Sequence, residues 1–359
     1  MLDLSNARPI GILVGYLTAC AALAAISITS IYRKAASSNA LSRRSHSIVV
    51  FSALAALSLA TTWYHMFRFF QWSYQQWASA HPESLDGMLH LGEWLRDTTL
   101  FKQAWVSTLE EPTRLCWSLQ IFAHCANWSV MLASYDKKMK IPHLWVFMLL
   151  GQIVAISFAL NLSLLAFLVF EDTDPTGKAT REAEQQPPIA ETHSGLRKSW
   201  LAILAVTTGC ALSIPWQLDH PKFMYLLLAP HVLAFVPLLL NRLISGSERA
   251  VMDQQPPPDV RRNVRGIIVA AAIYNLPFNA GSGAQWRDVM RALYEHPAVS
   301  SVGWDVICCW ISLSAWHLVC WADHFEEKQG IRPLQWEHIR NYYLNKVYDI
   351  RDYVVRRFM

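Results

Sequence analysis

The sequence lacks the short signatures from which most enzyme classes can be read. It contains no DDxxD or DxDD string for diphosphate chemistry, no phosphate-cradling P-loop, no GxSxG elbow and no HExxH pair. No CxxC spacing occurs among the seven cysteines, which all lie within or at the ends of apolar runs. They read as small core residues, not as zinc ligands or a disulfide framework. The thirteen histidines are scattered and do not form the clusters of a membrane di-iron enzyme. Charge is scarce too: Asp, Glu, Lys and Arg make up 16% of the 359 residues and leave a net charge of +4. No basic run is interleaved with aromatics in a polar setting, so nucleic acid is excluded as a partner.

What the chain has in quantity is apolar surface. Hydrophobic residues form 53% of it and tryptophans number 16, the composition of a protein whose solvent is partly the lipid bilayer. Apolar runs long enough to span, or nearly so, fall at about 10–32, 47–70, 113–134, 143–170, 199–218, 222–243, 264–280 and 302–322. They predict an all-α fold, a polytopic transmembrane helix bundle of about eight spanning helices over residues 1–322. The run at 264–280, with Asn275, Pro277 and Asn279, reads as a broken or re-entrant helix. Residues 71–111 carry tryptophans among acidic groups and read as interfacial amphipathic helices. A polar, Pro-containing stretch at 171–197 reads as a flexible loop, and 323–359 as a charged amphipathic tail.

The longest apolar run organises the rest. Leu144 to Phe170 holds no charged side chain, and one helix over it would be roughly 40 Å long against a hydrocarbon thickness of ~30 Å. Its Gln152, Ser157 and Asn161 need polar partners in such a setting, which places the helix inside a bundle.

Three constellations carry possible chemistry. Gln120, His124 and Asn127 form one polar stripe with Trp117 a turn earlier, either a lined cavity or polar glue between helices. Asp305, Cys309 and Ser312 share a face with Trp304 beside the acid, and an ionisable residue in such a segment is a functional candidate. The competing role for Asp305 is a helix-dipole partner worth on the order of 1 kcal/mol. Trp63, Tyr64 and Phe67 crowd one helix end, either as an interfacial belt or as π faces around a carbocation. Asp97, Glu111 and Asp219 stand at the membrane edge, either as acids kept protonated in an apolar pocket and able to act as general acids, or as solvated or helix-capping groups, as Glu111 before Pro112 reads.

The strings TWYHMFRFFQWSYQQWA at 62–78, WLRDTTLFKQAW at 94–105, Trp117 to Gln120, IPHLWVFMLLGQIVAISFALNL at 141–162 and HPAVSSVGWDV at 296–306 make a resemblance specific. Over most of residues 50–320 the chain resembles the fungal membrane-bound terpene cyclases of meroterpenoid biosynthesis, of the ascochlorin/ascofuranone and macrophorin type. It departs from that pattern at Leu115, Cys116, Leu119 and Leu160. The resemblance implies a multi-pass enzyme of the endoplasmic reticulum. It would cyclise a farnesyl chain on a phenolic or cyclohexenone head by protonating a terminal epoxide or olefin. No diphosphate leaves in that reaction, so no metal or other cofactor is implied; pathway enzymes such as an epoxidase are the implied partners. Asp97 and Asp305 would then supply or assist the proton, with Glu111 and Asp219 behind them. Trp63, Tyr64, Phe67, Trp117 and Trp304 would line the cation path, and Gln120, His124 and Asn161 would position the substrate. A non-catalytic transporter or scaffold in the same membrane is the alternative.

Overall fold

A computed structural model describes residues 7–38, 40–82, 89–139, 141–170, 205–243 and 286–329. Every regular element among them is helical. In chain order these are α1 (Ala7–Ser37), α2 (Ala40–Arg43), α3 (Ser45–Ala80), α4 (Leu91–Asp97), α5 (Leu100–Leu109), α6 (Pro112–Met139), α7 (Leu144–Ile153), α8 (Ile156–Phe170), α9 (Phe223–Leu233), α10 (Val236–Leu243), α11 (Trp286–Ala292) and α12 (Pro297–Gln329). A helical run over 205–213 precedes the 3-10 turn Ile214–Gln217. The chain divides into two compact units, Met1–Leu313 and Ser314–Met359; of the second, residues 314–329 are described and are helical.

Three described helices are long and apolar enough to cross a bilayer: Ala7–Ser37, Ser45–Ala80 and Pro297–Cys320. That is the mark of a membrane protein. The eight spans expected from hydropathy are not all reached among the described residues, for two different reasons. The segment at 264–280, the loop at 171–197, the start of the 199–218 run and the tail beyond Gln329 lie outside them. The runs at 143–170 and 222–243, by contrast, are described and are two helices each, and the run at 113–134 lies in one helix, α6, that is not among those long and apolar enough to cross.

Helix α3 also corrects the expected boundary at residue 70. It continues unbroken to Ala80, so Gln71 to Ala80 extend a spanning helix, and only α4 and α5 remain as separate short helices in the stretch to Leu109. No Pro or Gly interrupts Ser45–Ala80, and the chain stops being helical only at His81-Pro82.

Burial sorts the helices. Only 11% of the apolar window of α1 and 22% of that of α3 is buried, against 56% in α12. Helix α8 is different again, with every residue from Ile156 to Val169 buried. It packs against α3, where Asn161 Nδ2 donates to Ser58 Oγ at 3.2 Å. The core continues around α6, whose Leu119, Phe122 and Ala123 meet Leu109, Ala211, Ile214, Phe223 and Leu227. Two glycines permit close approach: a Cβ on Gly151 would meet the Trp128 indole at 2.5 Å, and one on Gly303 would overlap Leu293 and meet Trp117 at 3.3 Å.

Candidate functional site: the broken helix and the acid that caps it

The most apolar run of the chain breaks at Val154-Ala155. Ile153, Val154 and Ile156 are β-branched, which weakens the helix there, but the break persists because its backbone finds partners inside the protein. The Ile153 carbonyl accepts a hydrogen bond from Tyr16 Oη of α1 at 2.6 Å, with Cys20 Sγ at 3.8 Å. On the other side, the first free N–H groups of α8 point at Asp305 of α12. Ile156 N–H donates to Oδ2 at 3.0 Å and Ser157 N–H to Oδ1 at 2.7 Å. Both carboxylate oxygens therefore cap a helix N-terminus, where the peptide dipoles favour negative charge. Asp305 is the one buried carboxylate among the described residues. Asn161, one turn further along α8, donates to the Ser157 carbonyl at 2.9 Å and reaches α3 through Ser58.

The polar stripe of α6 divides. Gln120 Oε1 accepts from the Trp310 indole at 3.3 Å, and His124 lies edge-to-face with the same indole at 4.9 Å. Both His124 nitrogens are buried without a hydrogen-bond partner. Asn127 turns back to its own helix, donating to the Ala123 carbonyl. Trp117 is buried and donates to the Val289 carbonyl at 3.0 Å. Trp304, beside Asp305, is half-buried.

The aromatic end of α3 is more open. Trp63 and Phe67 meet edge-to-face at 5.6 Å, but Phe67 and Tyr64 are 50% and 59% exposed, so these rings form no closed box. A half-open cavity of about 320 Å³ lies beside them, with Tyr64, His65, Arg68, Trp72, Tyr294 and Ser300 in its wall.

The remaining acids sit in polar surroundings. Asp97 accepts from Arg96 Nε at 2.9 Å and from the Trp77 indole at 3.2 Å. The Arg96 hydrogen bond holds its carboxyl below the usual carboxylate range, so it is ionised, not a reservoir of protons. Glu111 is exposed with Arg114 at 3.8 Å, and Asp219 is exposed in the turn before α9.

The structure thus gathers Asp305 with Asn161 through the first turn of α8, and Gln120 with His124 around Trp310. It leaves Tyr64 and Phe67 exposed on α3 with Trp63 half-buried beside them, and Asp97, Glu111 and Asp219 outside both groups. Sequence reasoning missed Tyr16, Ser58 and Trp310, whose roles depend on long-range pairing. It also missed His231, whose Nδ1 bonds Gln152 Oε1 while Gln152 Nε2 reaches Cys125 Sγ at 3.1 Å. No group of three or more His, Cys, Asp or Glu side chains poised for a metal ion occurs among the described residues.

Comparison with known proteins adds one partial match: a model of a protein family of unknown function, DUF2834, covers residues 264–324. No curated protein matches the chain, and no solved structure does. The matched segment includes Asp305 and all of α12 from Pro297 to His324.

Proposed function

We propose that the chain is a multi-pass terpene cyclase of the endoplasmic reticulum, with about eight spans, that closes rings on a farnesyl chain carried by a phenolic or cyclohexenone head. One observation carries the reading: a carboxyl group, Asp305, set in the interior of an apolar bundle at a helix break, with an indole, Trp304, beside it. In this scheme Asp305 delivers its proton to the terminal epoxide oxygen or olefin of the substrate. The C–O bond opens, or the π bond is protonated. Successive double bonds attack the cation, and loss of a proton from carbon ends the sequence, so substrate and product are isomers. The N–H groups of Ile156 and Ser157 stabilise the carboxylate left behind. Trp304, beside Asp305, would offer a π face worth ~2 kcal/mol to a desolvated cation. The resemblance over residues 50–320 supplies the substrate class.

A second reading has its own observation. Both Asp305 oxygens are occupied by backbone, and discontinuous spanning helices are also the way transporters build binding sites. A transporter or scaffold would keep Asp305 for architecture alone.

The two separate in a conversion assay. Yeast microsomes containing the chain are given a farnesylated phenol, a farnesylated cyclohexenone and their terminal epoxides. The cyclase reading expects a product of unchanged mass and shifted retention, lost in Asp305→Asn at equal protein abundance. Full turnover by Asp305→Asn removes the acid assignment. No conversion of any compound by abundant wild-type protein favours the architectural role.

A further inference from the structure

The cavity beside α3 has a wall chemistry that the cyclase reading does not use. Four positions on one face of α3, Tyr64, Arg68, Gln71 and Gln75, line it, and Tyr294 and Ser300 close the far side. No carboxylate is among its lining residues. The Arg68 guanidinium is exposed and makes no ion pair or hydrogen bond among the described residues. Glu295, the acid next to Tyr294 in sequence, is drawn away to Arg114 at 3.4 Å. The cavity is therefore a cation with amide and hydroxyl donors between aromatic walls, and its complement is an anionic oxygen group.

Its position says what is attached to that group. Arg68 follows the apolar part of α3, and Leu57, seven residues before Tyr64 on the same face, is 54% exposed. One outward stripe of α3 thus runs from apolar at Leu57 to aromatic at Tyr64 to cationic and amidic at Arg68, Gln71 and Gln75. That is the register of an amphiphile lying with its tail along the lipid-facing helix and its head in the cavity. At about 320 Å³ the cavity is at the small end of ligand sites and holds a head group, not a tail.

We infer that this cavity is a binding site for the anionic head of an amphiphile, with Arg68 as its counter-charge. The inference stands whether or not the chain is a cyclase. The anion has two sources, a membrane phospholipid or a free single-chain amphiphile.

Native mass spectrometry of the purified full chain in neutral detergent tests it, with oleate, methyl oleate and phosphatidylglycerol as probes. Oleate or phosphatidylglycerol is expected to bind about tenfold tighter than uncharged methyl oleate, the scale of one charge-assisted contact. Arg68→Gln is expected to erase that preference, Arg68→Lys to keep part of it, and Gln75→Glu to lower it by placing a carboxylate in the wall. Preference for oleate identifies a free amphiphile and preference for phosphatidylglycerol a membrane lipid; either supports the site. Equal binding of all three probes, or a preference untouched by both Arg68→Gln and Gln75→Glu, overturns it.

Discussion

Two apolar regions of this protein look alike in hydropathy and behave differently. Helices α1 and α3 are unbroken over 31 and 36 residues and bury little of their apolar windows. The more apolar run at 144–170 is cut in two, and its second half is wholly buried. Hydropathy reports that a segment is out of water, but not whether lipid or protein replaces the water. The outward helices satisfy their own backbone and need no partner. The buried run tolerates a break because Tyr16 and Asp305, from two other helices, take up the freed carbonyl and N–H groups.

Breaking that contrast at its strongest point should have the largest effect. Asp305→Leu leaves two buried N–H groups without acceptors, at about 1–3 kcal/mol each. A fall of several kcal/mol in the stability of the detergent-solubilised chain is the expected result, with Asp305→Asn, which keeps one acceptor, losing roughly half as much. Next comes Gly151→Ala, which drives a methyl group into the Trp128 indole beside the break. Overpacking of this kind costs about 1–3 kcal/mol, readable as a lowered denaturation midpoint. Tyr16→Phe removes the hydrogen bond to the Ile153 carbonyl and should cost about 1 kcal/mol. The matching change on the outward face of α3, Leu57→Ala, should move the midpoint by no more than about 0.5 kcal/mol. If Tyr16→Phe and Leu57→Ala behave alike, the contrast between the two regions is lost.

A further expected effect depends on pH. His296 caps α12, its Nδ1 accepting from Ala298 N–H at 3.2 Å, and its ring packs against Trp72 at 4.3 Å. Burial, followed by the charge of Arg114, pushes its pKa down to about 4. In the unfolded chain the imidazole titrates near ~6.5. Between those values the unfolded state binds a proton that the folded state refuses, so the contribution is full above pH ~6.5 and lost as pH falls towards 4. His296→Asn, which keeps a capping oxygen, should flatten the decline in unfolding midpoint across that window. An unchanged slope would remove His296 from it.

Much of this was legible in the residues. The helical class, the long runs of α1, α3 and α12, and the need of Gln152 and Asn161 for partners follow from hydropathy and from the cost of buried amides. Asp305 stood out as an acid in an apolar segment, and a helix-dipole role was the right kind of partner on the wrong helix: it caps α8, 149 residues away from Ile156 in sequence, not its own α12. The break itself was hidden because no Pro or Gly marks Val154-Ala155; it is held by tertiary contacts that leave no local trace. The end of α3 was misplaced because Gln71 to Ala80 turn polar, a change of solvent that the helix does not register.

Amide hydrogen exchange at Ile156 and Ser157, in wild-type protein and in Asp305→Leu, tests most directly that Asp305 holds the break closed. Slow exchange in the wild type and fast exchange in the variant, with α3 unaffected, is the result expected. Equal rates at those two amides would contradict the capping role and, with it, the view that the most apolar run of the chain is an internal broken helix.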